Sequence, residues 1–226
     1  EKRRRMESRI PKKGFLYVGI PGFCTTLIAA MTLASTEMVR LILENSANHY
    51  ATDIDGNDPL MCACTFNRLD NVKFWLKEFP NWNLNARNKT VGGFALGLAI
   101  HSGPNRFELT KFLIENGVRV DVLTYGGSSL LHTACSNKDA DLAVVKLILE
   151  SSHKLLNYRR QAKSLRWKII YRIARIASGS SSLFRFLARE AGETALHRAA
   201  FYGDIKIVEL LLSEGADPSL KNDLGQ

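Results

Sequence analysis

Cys62-x-Cys64, with Cys24 upstream, is the nearest approach to a metal site in the chain: three thiolates in want of a fourth ligand. No histidine or further cysteine stands at a spacing that would close a tetrahedral zinc set. There is no CxxC pair either, so Cys24, Cys62, Cys64 and Cys135 read as free thiols, as expected of an intracellular and cytoplasmic chain. The run Tyr125-Gly126-Gly127-Ser128-Ser129 lacks the lysine that a phosphate-cradling loop needs at a fixed offset. No nucleophile is spaced to pair with a histidine base, and no two carboxylates are arranged for acid–base work. An enzyme, a bound metal and a cofactor are therefore not expected.

Charge is distributed unevenly. The 226 residues carry 31 Lys and Arg against 22 Asp and Glu. Residues 1–13 hold seven basic and two acidic groups, and residues 158–189 hold nine basic and none acidic. The remainder has 15 basic and 20 acidic groups, which describes a mildly acidic body with two basic appendages. A nucleic-acid partner is not expected from that pattern. The uncharged run from Gly14 to Thr36 has the length of a membrane span, but Gly19, Pro21, Gly22 and several threonines argue against one. A chain that starts at Glu1 and stops at Asn222-Asp223-Leu224-Gly225-Gln226 reads as an excised piece of something longer.

Chemistry having failed to organise the chain, periodicity succeeds. One skeleton recurs five times: a small polar residue, a leucine, paired small residues, a polar gap, then a triad of large apolar side chains. Its marker leucines are Leu27, Leu60, Leu96, Leu131 and Leu196, spaced 33, 36, 35 and 65 apart. The small pairs are Ala29-Ala30, Ala63-Cys64, Ala99-Ile100, Ala134-Cys135 and Ala199-Ala200. The triads are Leu41-Ile42-Leu43, Phe74-Trp75-Leu76, Phe112-Leu113-Ile114, Leu147-Ile148-Leu149 and Leu210-Leu211-Leu212. A helical hairpin of this size cannot bury its apolar face alone, so neighbours must stack. Gly117 and Gly215 fit as helix C-caps.

The stretch Thr194, Leu196, His197, Ala199, Gly203 and the Glu214-Gly215-Ala216-Asp217 helix end resembles the ankyrin repeat, a β-turn and two antiparallel helices with a T-P-L-H-x-A signature. The copy at Asp55, Gly56, Pro59 and Leu60 is similar, while Ile28 and Gly97 replace the histidine in the first and third copies. The resemblance implies an all-α fold: an α-solenoid of stacked helix-turn-helix repeats with one aberrant basic helical insertion. The expected domains are a basic N-terminal segment and cap over 1–21 and repeats 1–4 over 22–157. A basic insertion or degenerate repeat follows over 158–191, then repeat 5 and the start of another over 192–226. It also implies structural roles for His132 and His197, which hydrogen-bond turn backbone in the family, and packing roles for Cys64 and Cys135.

Function, on this resemblance, is a non-catalytic scaffold that binds a protein through a concave face of turn tips and first helices. The first-helix positions are Thr65, Phe66, His101, Ser136, Asn137, Phe201 and Tyr202, with Thr32, Leu33 and Ser102 at equivalent places. The turn tips are Asp55, Asn57, Arg87, Lys89 and Tyr125, joined by Asp53, Asn88, Asn222 and Asp223.

The last leucine gap exceeds one period by 32 residues, and that excess is basic. At 100° per residue, Lys168, Arg172 and Arg175 form one stripe beside an apolar stripe of Leu165, Ile169, Ile173 and Ile176, which Trp167, Ile170 and Tyr171 widen. The Ser-Gly-Ser-Ser-Ser run 178–182 breaks this helix, and a second follows. Three uses fit. The apolar stripe packs on the stack with Arg159, Arg160, Lys163 and Arg166 solvated. Alternatively the patch meets anionic lipid or an acidic protein as a membrane-peripheral adaptor, or it is a helix target or nucleic-acid contact.

Overall fold

The computed structural model describes residues 25–101, 105–136, 140–202 and 204–226. Among them all regular structure is helical, and the helices come in pairs. These are α1 (Thr26–Leu33) with α2 (Thr36–Glu44) and α3 (Pro59–Thr65) with α4 (Leu69–Glu78), followed along the sequence by α5 (Ala95–His101) and then α6 (Phe107–Glu115). Then come α7 (Leu130–Ala134) with α8 (Leu142–Ser151), α9 (Leu165–Ile176) with α10 (Ser182–Glu190), and α11 (Ala195–Tyr202) with α12 (Ile205–Ser213). The basic segment 1–21, Cys24, Ser102, Asn137 and Gly203 lie outside the described residues. No helix among the described residues is long and apolar enough to cross a membrane; Thr26–Leu33 and Thr36–Glu44 divide the end of the uncharged run between them.

The chain falls into two compact units, residues 1–102 and 103–226. In the first, α1 packs on α3, α3 on α5 and α2 on α4. First helices start at side-chain caps: Thr25 accepts from the Ile28 N–H and Asp58 from the Met61 N–H. Ala63, Cys64 and Ala99 are fully buried where the first helices meet, and only groups of that size let the backbones approach. Polar links cross between hairpins as well. Asn71, buried, donates to the Met31 and Ala34 carbonyls, and Arg68 donates to the Ala34 carbonyl at 2.7 Å.

In the second unit α6 packs on α8, α7 on α11, and α8 on α12. The middle residue of every triad is buried in both units: Ile42, Trp75, Leu113, Ile148 and Leu211. Their neighbours Leu41 and Leu212 are exposed, because three consecutive helical residues fan over about 200° and one packing face cannot hold them all. Marker leucines 27, 60, 96 and 131 are buried, and Leu196 is half-buried. Gly117 and Gly215 sit at φ +85° and +92°, the left-handed geometry of a C-cap.

The basic excess is looped out of a turn and is not a unit of the stack. His132 Nε2 meets the Glu193 carbonyl at 3.0 Å, and His197 Nε2 meets the Gln226 carbonyl at 3.2 Å. These equivalent contacts span 61 and 29 residues, and the difference equals the 32-residue excess. The Arg160 N–H donates to the Glu193 carbonyl at 2.8 Å, and the Gly192 N–H donates back to the Arg160 carbonyl at 2.9 Å. The chain therefore leaves the repeat-5 turn after Arg160 and rejoins it at Gly192, with α9 and α10 packed on each other in between.

Helix α9 packs through the flank of its apolar stripe and not through its centre. Leu165, Ile169, Ile173 and Ile176 are 73%, 50%, 49% and 80% exposed, so the apolar stripe does not pack on the stack. Tyr171 and Ala174 are buried instead, with Trp167 and Ile170 half-buried. The cause is Gly126. Its bare Cα leaves room for the Tyr171 and Trp167 rings, and its carbonyl accepts the Tyr171 hydroxyl at 2.9 Å.

Candidate interaction site

The two histidines hold turns together. Ser129 caps α7, its Oγ lies 2.7 Å from His132 Nδ1, and the other imidazole nitrogen reaches the next turn at Glu193. Thr194, His197 and Gln226 repeat the arrangement. Full burial, aided by the nearby Arg160 and Arg198 charges, pushes the His132 pKa down to about 3. The unfolded chain thus takes up a proton below about pH 6.5 that the folded chain refuses. Stability present above that pH drains away as pH falls toward 3. Between pH 7 and pH 5 this group alone removes about 2 kcal/mol. Urea unfolding of wild type and His132→Asn across that range checks it: the variant is expected to lack this part of the slope, and parallel curves would refute the assignment. The thiols serve packing. Cys62, Cys64 and Cys135 are buried and form no disulfide, and burial pushes the Cys135 thiol up to about 12.

Several expected surface residues are turn-building residues. Asp53 is buried and accepts from the N–H groups of Asp55 and Asn57. Asn88 is buried and bridges Asn57 Oδ1 to the Gly93 N–H. Thr32 is buried with its hydroxyl on the Ala29 carbonyl, and Asn222 is buried inside its own turn. Thr65, Phe66, Asn57, Ser136 and Tyr202 are half-buried, while Asp55, Arg87, Lys89 and His101 are exposed. Tyr125 is half-buried under the insertion neck, and its carbonyl accepts from the Lys163 N–H at 2.8 Å. Asp223 holds Arg159 at 3.3 Å.

The basic residues divide in two. Arg166, Lys168, Arg172 and Arg175 are exposed on α9, and Lys163 is exposed just before it. Arg160 is not available to a ligand. It is buried, 2.9 Å from Glu190 and 3.2 Å from Glu193, in a cluster completed by Arg198 at 2.6 Å from each carboxylate. The signal existed: Leu156-Asn157-Tyr158-Arg159-Arg160 parallels Leu84-Asn85-Ala86-Arg87-Asn88, so Arg160 stands where the buried Asn88 stands.

Two cavities accompany these elements. In the second unit a 300 Å³ hollow is lined by Phe186 and Arg189 of α10, His197 and Phe201 of α11, and Asn222 of the following turn. Phe201 is 51% exposed, edge-on to Tyr202 at 5.2 Å, with the Arg189 guanidinium 4.2 Å over its ring. In the first unit a 590 Å³ cavity opens at the end of α4, lined by Glu78 and the loop after it, by Tyr50 and by Asp58 at the start of α3. Its aromatic residues were missed in the sequence, although His49 and Trp82 each stand 22 residues past a marker leucine.

Comparison with known proteins fits this geometry. The ankyrin repeat profile matches residues 191–223, and a profile described as ankyrin repeats in many copies matches 27–74. The chain contains ankyrin repeats. Among curated proteins it is 25% identical over 201 residues to the human transient receptor potential cation channel subfamily A member 1, covering 80% of this chain. It spans 17% of that channel's length. Among solved structures it superposes, at TM-score 0.65 and 27% identity, on a chain of the Bd0816 predatory endopeptidase from Bdellovibrio bacteriovorus in complex with immunity protein Bd3460, covering 88% of this chain and 86% of that one. As ankyrin repeats, these hairpins form a protein-interaction module.

Proposed function

We propose that the chain is a non-catalytic, intracellular ankyrin scaffold that holds a protein partner against its first helices and turn tips. The observation that carries this is the hollow beside α11, where exposed Phe201 stands ready as an anchor with a cationic rim from Arg189. Aromatic and arginine side chains around a pocket are the usual centres of binding energy in protein interfaces. Phe66 and His101 occupy the corresponding first-helix positions of the other unit. The structure of similar fold contains an immunity protein in complex, which agrees in kind with a protein partner.

A second reading rests on α9, whose four exposed apolar residues are flanked by Arg166 on one side and by Lys168, Arg172 and Arg175 on the other. That is the layout of a helix lying on an anionic membrane surface. One experiment separates the two. Capture from cells is compared for wild type, Phe66→Ala/His101→Ala, Phe201→Ala/Tyr202→Ala and Ile169→Ser/Ile173→Ser, alongside flotation with phosphatidylserine vesicles. The scaffold reading expects an aromatic pair to lower capture of a partner tenfold or more, about 1.4 kcal/mol. Undiminished capture by both aromatic variants overturns it, and vesicle binding lost only in the isoleucine variant establishes the second.

A further inference from the structure

We propose that the cavity at the end of α4 in the first unit is a binding site for an organic ammonium group, of the type carried by a lysine, a methylated lysine or choline. Its walls are the rings of Tyr50, Phe79 and Trp82 and the carboxylates of Asp58 and Glu78. No Lys, Arg or His is among the described residues lining it. An anion would meet two carboxylates there, and a neutral guest would leave their charge without a counterion. An alkylammonium satisfies both kinds of wall: ring faces attract it through their quadrupoles, and carboxylates attract its charge.

The rings are held before any ligand arrives. Trp82 is fixed at both ends: its Nε1–H donates to Asp58 Oδ2 at 3.2 Å, and its ring meets Trp75 edge-on at 5.1 Å. Phe79 is backed by Trp75 at 4.5 Å and by a stacked His49 at 4.8 Å. Tyr50 lies nearly parallel to Trp82, 15° between planes and 5.6 Å between centroids, and is 70% exposed. It is the outer wall. Asp58 is the inner one, buried and fixed by capping α3 through the Met61 N–H. A prearranged cage of this kind binds without the entropy loss of collecting its parts. It also lies in a different unit from the α11 hollow, so either site stands if the other fails.

The test uses choline and its uncharged carbon isostere, dimethylbutanol, titrated into the whole chain while the Trp82 indole N–H is followed by NMR. Choline is expected to give a saturable shift with Kd on the order of 1 mM, as befits so few atoms. The isostere, equal in shape and lacking charge, is expected to bind at least about tenfold more weakly. Tyr50→Ala removes an exposed ring without disturbing the core and is expected to weaken choline roughly threefold to tenfold. Glu78→Gln deletes the charge of the other, exposed carboxylate and leaves the Trp82-to-Asp58 hydrogen bond in place, and it is expected to weaken choline but not the isostere. Equal binding of the two probes, no saturable shift at tens of millimolar, or indifference to Tyr50→Ala each overturns the proposal.

Discussion

Glu190→Ala is expected to destabilise the second unit by about 3–5 kcal/mol, measured by urea unfolding near neutral pH. Glu190 shares a buried cluster with Arg160, Glu193 and Arg198, two cations against two anions, none with appreciable access to water. Deleting one carboxylate leaves two guanidinium groups around Glu193 alone, and the surplus charge has neither a partner nor solvent. Burial already raises the Glu193 pKa, with Arg198 and then Arg160 opposing that rise. The loss is expected to be nearly independent of salt, since mobile ions do not reach the cluster. Replacing Arg160 and Glu190 together by Met and Leu restores charge balance and is expected to recover most of the stability. A cost under about 1 kcal/mol for the single variant would mean the four charges are not buried together.

Gly127→Ala is expected to cost about 3 kcal/mol in the same assay, against about 1 kcal/mol for Gly117→Ala. Both glycines have positive φ, +81° and +85°, so the backbone penalty is shared. Their surroundings differ. A Cβ on Gly117 meets nothing within 4 Å, whereas one on Gly127 overlaps the Gln161 carbonyl and comes 2.8 Å from the Gln161 nitrogen. Those atoms are backbone at the insertion neck and cannot rotate aside. Relief means shifting residues 160–164 and giving up the Lys163-to-Tyr125 hydrogen bond. Equal costs for the two substitutions would show that the neck does not press on this turn.

Periodicity made the repeats legible because each hairpin repeats one physical problem, the burial of an apolar face against an identical neighbour. The marker leucines, the small pairs and the histidine–hydroxyl contacts all follow from that. The sense in which α9 faces is a different matter. A helical wheel locates the arc of Leu165, Ile169, Ile173 and Ile176 but carries no statement of which arc meets the body. That choice was made by Gly126, nearly forty residues upstream, through the space it leaves and the carbonyl it offers. Arg160 was obscure for a similar reason, since its partners Glu190 and Glu193 come from the far side of the excursion. The aromatic cage was written more openly, at equal offsets in two successive copies, but pattern matching directed at first helices and turn tips passes over the ends of second helices.

The neck formed by Arg160, Gly192 and Glu193 makes the α9–α10 hairpin a graft whose two ends enter the fold at one turn. Lengthening, shortening or rewriting such a graft does not shift the phase of the hairpins on either side, just as a side road can be rerouted without moving the highway. The graft's outward face, with Leu165, Ile169, Ile173 and Ile176, is therefore free to change in charge and greasiness, provided Tyr171, Glu190 and the junction keep their places.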